Sequence, residues 1–243
     1  MTNALETRRH SGHDDHWIPL SDLMTGLMMI FMLIAITYMM KVEADAKIIK
    51  TSAEQTKEIA TLYKRMKSEL FEDLHREFAA DLPRWDAEML PDATIRFKAP
   101  DVLFDSGKSD LKQRFKDILF EFFPRYVAIL DSKRFKDSIQ EIRIEGYTSS
   151  LWQSATSEQY AYFQNMRLSQ DRTRSALEYV MNIPSLGGDM EWLREHITAI
   201  GMSYSKRIYN ANGKENYSRS QRVEFRVRTD AESKMEKILE TAK

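Results

Sequence analysis

The 243-residue chain carries 36 Lys and Arg against 37 Asp and Glu, a formal net charge of −1, so no global basic field points to nucleic acid. It has no cysteine, which excludes disulfides, thiolate catalysis and zinc–thiolate sites. A chain of this length holds one membrane span, a connector and one ordinary domain, not two large domains.

Residues 1–16 form a polar N-terminal tail. His10, His13 and His16, with Asp14 and Asp15, offer ligand side chains, but a tail gives them no fixed geometry and no metal site is expected. Trp17 sits where an interfacial aromatic belongs, and Pro19 suits the first turn of a helix. From Ile18 to Met40 run 23 apolar residues with one charge, Asp22. At helical rise they span about 34 Å, so residues 17–41 are assigned as a transmembrane helix. The embedded acid and the lack of a small-x-small site argue against a cleaved signal peptide. Arg8 and Arg9 before the span nearly balance Lys41, Lys47 and Lys50 after it, so flanking charge does not set orientation.

Asp22, Thr25, Gly26, Met29 and Leu33 fall on one face of that helix. A carboxylate in an apolar segment is costly and marks ion handling or a polar contact. Asp22 also lies about one turn from Pro19, where it would complement the helix dipole. Both readings stay open on the residues alone. Residues 42–82 are charged and free of Gly and Pro, with apolar positions at Ile59, Leu62, Met66, Leu70, Leu74 and Phe78. That stripe reads as a helical stalk, paired in a dimer or lying on its own domain.

Beyond Pro83 the pattern alternates between strand and helix. Strands are expected at 93–97, 139–146, 197–201 and 223–227. Helices are expected at 111–130 and 168–180, the second capped by Ser169. Between them, residues 150–164 read as a loop bearing Trp152, Tyr160, Tyr162 and Phe163, aromatics suited to stacking on sugar faces or packing the rim. Arg219, Arg222, Arg226 and Arg228 read as a solvated strand face, and residues 231–243 as a helical C-terminal tail. Phosphate-loop, zinc-protease and nucleophile-elbow motifs are absent, which narrows the field.

The run Trp17-Ile-Pro-Leu-Ser-Asp22-Leu-Met-Thr-Gly-Leu-Met-Met-Ile-Phe-Met-Leu-Ile34 resembles the ion-carrying helix of MotB-type stator subunits. Downstream, Phe104-Asp-Ser-Gly107 with Leu111, Ile144-Glu-Gly-Tyr-Thr-Ser149, Asn165-Met-Arg-Leu-Ser-Gln-Asp-Arg172, Ile200-Gly-Met-Ser203 and Ser220-Gln-Arg-Val-Glu-Phe225 are similar, in order, to the motifs of OmpA-like domains. The resemblance implies one transmembrane helix, a helical stalk and a two-layer α+β OmpA-like domain (βαβαββ) over residues 83–230. It makes Asp22 the carrier of a translocated H⁺ or Na⁺, with Thr25 beside it and no resident cofactor. It places peptidoglycan against Arg172, Ser149, Thr148 and Asn165. Ser149 stands where that family has Asp, and Tyr147 where it has His, which weakens this pocket for a zwitterionic ligand.

Implied partners are a second copy of the chain, a multi-span MotA- or ZorA-like subunit ringed around the dimer, and peptidoglycan, without direct nucleic-acid binding. The implied location is the bacterial inner membrane, N-terminus cytoplasmic and C-terminal domain periplasmic. The span and stalk look most like the stator subunits of Zorya anti-phage defence systems. A flagellar or motility stator, or a passive wall tether without ion conduction, are the alternatives.

Overall fold

The computed structural model describes residues 17–98 and 100–230. The N-terminal tail with its histidines and the C-terminal tail therefore lie outside the described residues. Contacts divide the chain into two compact units, Met1–Lys57 and Glu58–Lys243.

In the first unit, helix α1 (Trp17–Phe78) begins at Trp17 and is unbroken through the apolar segment. Its most apolar 18-residue window has a mean hydropathy of 2.1, and none of that window is buried in the protein. Met24, Met28, Phe31 and Met32 are each more than half exposed. An apolar surface of this extent is unfavourable in water and matches a lipid or partner-helix environment. Among the described residues, this is the one helix long and apolar enough to cross a membrane.

The second unit is a two-layer α+β body. Its strands are β1 (Ala87–Met89), β2 (Ile95–Phe97), β3 (Ile139–Tyr147), β4 (Ile197–Gly201) and β5 (Arg222–Thr229), in sheet order β1-β2-β5-β3-β4. Only β3 and β4 run parallel; the other neighbours are antiparallel. Helices α2 (Pro100–Leu103), α3 (Gln113–Leu130), α4 (Glu158–Met181), α5 (Met190–His196) and α6 (Tyr217–Ser220) complete it. The mixed two-layer fold is as expected, but the strand order gains β1 at its edge. Ala87-Glu88-Met89 has no β-branched residue to mark it. Its hairpin is made instead by Pro91-Asp92-Ala93, where Ala93 takes φ 63° and Asp92 accepts from the Thr94 N–H at 3.1 Å.

One sheet face is apolar. Ile95, Phe97, Ile142, Ile144, Val223 and Phe225 point into a core completed by α3. Phe122 of α3 is its hub, with ring contacts to Phe78, Trp85, Phe97, Tyr126 and Phe225 at 5.0–6.0 Å. Leu70, Leu74 and Phe78, expected as stalk positions, are fully buried in this core. Arg125 fastens the same segment by pairing with Glu77 at 2.6 Å and Asp81 at 2.8 Å. From Leu70 onward the stripe thus packs on its own domain, whereas Leu62 stays exposed. The helix stops at Phe78, not Leu82, because Pro83 disfavours helical backbone before it and a series of turns follows.

The other sheet face is charged yet partly buried. In one row across the sheet, Glu88, Arg96, Glu224 and Glu145 stand side by side. Arg96 bonds Glu88 at 2.9 Å and Glu224 at 2.7 Å. Arg222, expected in solvent, is 5% exposed: it pairs with Glu224 at 2.6 Å and lies 3.8 Å over the Tyr147 ring. Arg219 sits on α6 rather than on the strand.

Burial works against the Glu88 carboxylate, but the Arg96 hydrogen bond and the nearby Lys98 charge outweigh it and hold its pKa below the ordinary 4.5. Glu141 is likewise held low: burial opposes, and Thr198 and Arg143 prevail. A carboxylate with a depressed folded pKa stabilises the fold above its unfolded value, and that stability is lost as pH falls through the folded value. Urea midpoints of the full chain in detergent, read by Trp fluorescence, are expected to hold from pH 7 to about pH 5 and fall below it. Glu88→Gln should make that fall shallower.

Candidate functional site

Two constellations stand out, one in each unit. On α1, Asp22, Thr25, Gly26 and Met29 follow at spacings of three and four along continuous helix, so they share one face. Thr25 donates its hydroxyl to the Ser21 carbonyl at 2.8 Å, which leaves the oxygen lone pairs to face outward. Asp22 is exposed and has no ion pair among the described residues.

In the second unit, the carboxyl ends of β3 and β4 meet the first half of α4. Gly146 and Gly201 are paired in register there. A Cβ on Gly201 would come within 2.4 Å of the Gln170 backbone nitrogen, and one on Gly146 within 2.6 Å of the Thr173 methyl. Both glycines are therefore what allows α4 to lie directly on the strand ends. Hydroxyls complete the contact: the Ser203 N–H donates to Ser169 Oγ at 3.0 Å, and Ser203 Oγ donates to the Tyr162 carbonyl at 3.2 Å.

Ser169 is thus a buried mid-helix residue, not the expected cap. The cap is Ser157, which accepts from the Tyr160 N–H at 3.1 Å. The inward face of α4 explains the misreading, because Ala161, Asn165, Ser169, Thr173 and Ala176 form a small, polar stripe with little hydrophobic signal. As a result, Tyr160, Tyr162 and Phe163 lie on helix rather than loop. Tyr162 packs edge-on against Tyr204 at 5.4 Å, while Tyr160 and Phe163 are exposed.

A cavity of about 360 Å³ opens at this junction. Thr148, Ser149, Trp152, Asn165, Arg172 and Gln221 are among its lining residues, so the four residues proposed from sequence converge on one space. Arg172 is 6% exposed and donates through Nε to the Lys108 carbonyl at 2.9 Å and through Nη2 to the Asp105 carbonyl at 3.2 Å. Its guanidinium lies 4.7 Å over the Phe104 ring. Burial pulls its pKa down to about 10, so it stays a cation at neutral pH while being short of solvation. Thr148 bonds through its backbone N–H to the Ser203 carbonyl at 2.8 Å, but its hydroxyl is buried without a partner among the described residues. Asn165 reaches only the Leu151 carbonyl, at 3.5 Å.

Tyr147, at the position where the OmpA-like pattern has His, turns away from this cavity and donates its hydroxyl to Glu145 at 2.6 Å. Burial first, and that bond second, push the phenol pKa well above its ordinary value. The sequence reading missed Glu215. It accepts from Ser150 through both the backbone N–H at 3.1 Å and the hydroxyl at 2.6 Å, clamping the loop that continues from Ser149. Partners 65 residues apart leave no local trace.

Over 228 residues the chain is 42% identical to the Zorya protein ZorB of Escherichia coli Crooks, an alignment covering 93% of each. It belongs to the ZorB family. No general family model matches it. Among solved structures, the ZorB-family chain is similar to a putative MotB-like protein from Desulfovibrio vulgaris, with 20% identity, 73% of this chain and 98% of that one covered, and TM-score 0.44. It is also similar to the cell wall anchor of the type VI secretion system of Pseudomonas aeruginosa, with 19% identity, 65% and 97% covered, and TM-score 0.44.

The glycine pair gives a direct check on how the ZorB-family cavity is built. Gly201→Ala should force α4 off the strand ends and cost about 1–3 kcal/mol. A lowered urea midpoint of the full chain in detergent would report it, and an unchanged midpoint would refute the close-approach account.

Proposed function

We propose that this ZorB-family chain is the stator subunit of an ion-driven motor in anti-phage defence, anchored in the inner membrane and held at the cell wall. Membership of the family carries the defence reading. Asp22, an acid on an exposed apolar helix, supports the ion-carrying one: its charge is tolerable in lipid only against partner helices or when neutralised. A dimer inside a ring of multi-span MotA- or ZorA-like subunits would supply those helices. Binding of H⁺ or Na⁺ would neutralise Asp22 and release would recharge it, and the alternation would move one component against the other. Thr25 could lend its lone pairs to a bound Na⁺.

In this reading residues 17–41 cross the membrane, with the N-terminus in the cytoplasm and the second unit in the periplasm. That unit grips peptidoglycan through Arg172, Thr148, Ser149 and Asn165. The protein works by conduction coupled to mechanical work, not by covalent catalysis.

Asp22→Asn keeps size and helix propensity but cannot titrate. Cells carrying the complete system with this variant should express and assemble the protein normally and lose phage protection in plating assays. Retained protection would sink the motor reading and leave a passive tether. Separately, Arg172→Ala should lower co-sedimentation of the full chain with purified cell-wall sacculi by at least about tenfold, the loss expected for one buried charged contact.

A further inference from the structure

The cavity at the β3–α4 junction has an unusual charge inventory. Among its described lining residues Arg172 is a cation, and none is acidic. Arg172 spends Nε and Nη2 on neutral carbonyls and makes no ion pair among the described residues, so its Nη1 donors are uncommitted. Beside it stands the partnerless buried hydroxyl of Thr148, and Ser149 and the loosely held Asn165 amide add further donors. Two acids lie close in the fold and neither lines the cavity: Glu215 is committed to Ser150 on the loop, and Asp105, whose carbonyl accepts from Arg172, pairs its carboxylate with Lys108 at 3.5 Å and Lys112 at 3.2 Å.

Such a site suits a carboxylate and penalises an ammonium. A carboxylate would pair with Arg172 and satisfy the orphaned hydroxyl in charge-assisted bonds. An ammonium in the same cavity would lose its water, find no counter-charge and be repelled by Arg172. We infer that the cavity recognises a carboxylate whose neighbouring amine is acylated, and so discriminates against zwitterionic amino acids. This rests on the cell-wall reading above and specifies its ligand: stem peptides whose side-chain amine is closed by a cross-link, rather than stems with that amine free. Ser149 is the residue that sets the preference, since it lines the cavity two residues beyond β3, where an acid would balance an ammonium.

The test uses the full-length chain in detergent micelles and three purified wall fragments, titrated calorimetrically. They are an uncross-linked stem-peptide muropeptide with its free amine, the same fragment after chemical N-acetylation, and a cross-linked dimer. The acetylated and cross-linked fragments are expected to bind at least about tenfold more tightly than the free-amine one. Equal or reversed affinities, with intact sacculi still bound, would overturn the inference and leave the wall reading standing. Failure to bind any fragment or sacculi would overturn both. In Ser149→Asp the order should invert, with the free-amine fragment gaining. An unaltered order in a variant with wild-type Trp fluorescence would remove Ser149 from the role. The acetylation comparison uses the wild-type chain and does not depend on that variant folding.

Discussion

A helix can rest on a sheet at van der Waals contact of its backbone only where the sheet offers no side chain. Gly146 and Gly201, side by side on β3 and β4, create that bare spot, and α4 occupies it. The position of Arg172 over the cavity follows, because the helix that carries it can be neither raised nor slid without exposing the Ser169–Ser203 contact. Asn165, two turns earlier on the same face, is placed by the same constraint. The cavity is thus a by-product of a backbone-to-backbone approach rather than of a hydrophobic crevice.

The two faces of the sheet divide the labour. The inner face meets the Phe122 cluster and supplies most of the apolar burial, including the last turns of α1. The outer face is a lattice of acids and bases in which Glu224 is shared by Arg96 and Arg222. Buried ion pairs of this kind add little net stability, since desolvation offsets attraction, but removing one partner leaves a stranded charge. Register is therefore strongly enforced: slipping β5 by one residue would set Arg222 and Glu224 into the aromatic core.

Much of this was readable in the chain. The apolar span with its acid, four of the five strands and α3 all announce themselves by period and composition. The four cavity residues were named from local motifs, and the fold does bring them together. What stayed hidden has common physical causes. Strand β1 is too short and its residues too neutral to signal. The first turns of α4 bury Ala161 and Asn165, one small and one polar side chain, and so imitate a loop. Arg222 looks like any exposed strand arginine until its partners across the sheet are known, and Glu215 acts across a long separation that no window of sequence covers. Leu70, Leu74 and Phe78 carry a periodicity that is the same for a coiled stalk and for a helix docked on its own core.

The polar underside of α4 has a consequence for the order of folding. The sheet and α3 can gather early around Phe122, since apolar collapse needs no exact geometry. By contrast, the first half of α4 gains little from collapse, unlike its Ala176–Val180 end in the core, and locks only when β3 and β4 already lie in register and Ser203 meets Ser169. That half is expected to be among the last segments to dock and the first to open, so that amide exchange there runs faster than in α3. A wall ligand held between Arg172 and the strand ends would then do more than anchor the chain: it would stabilise the element that closes latest.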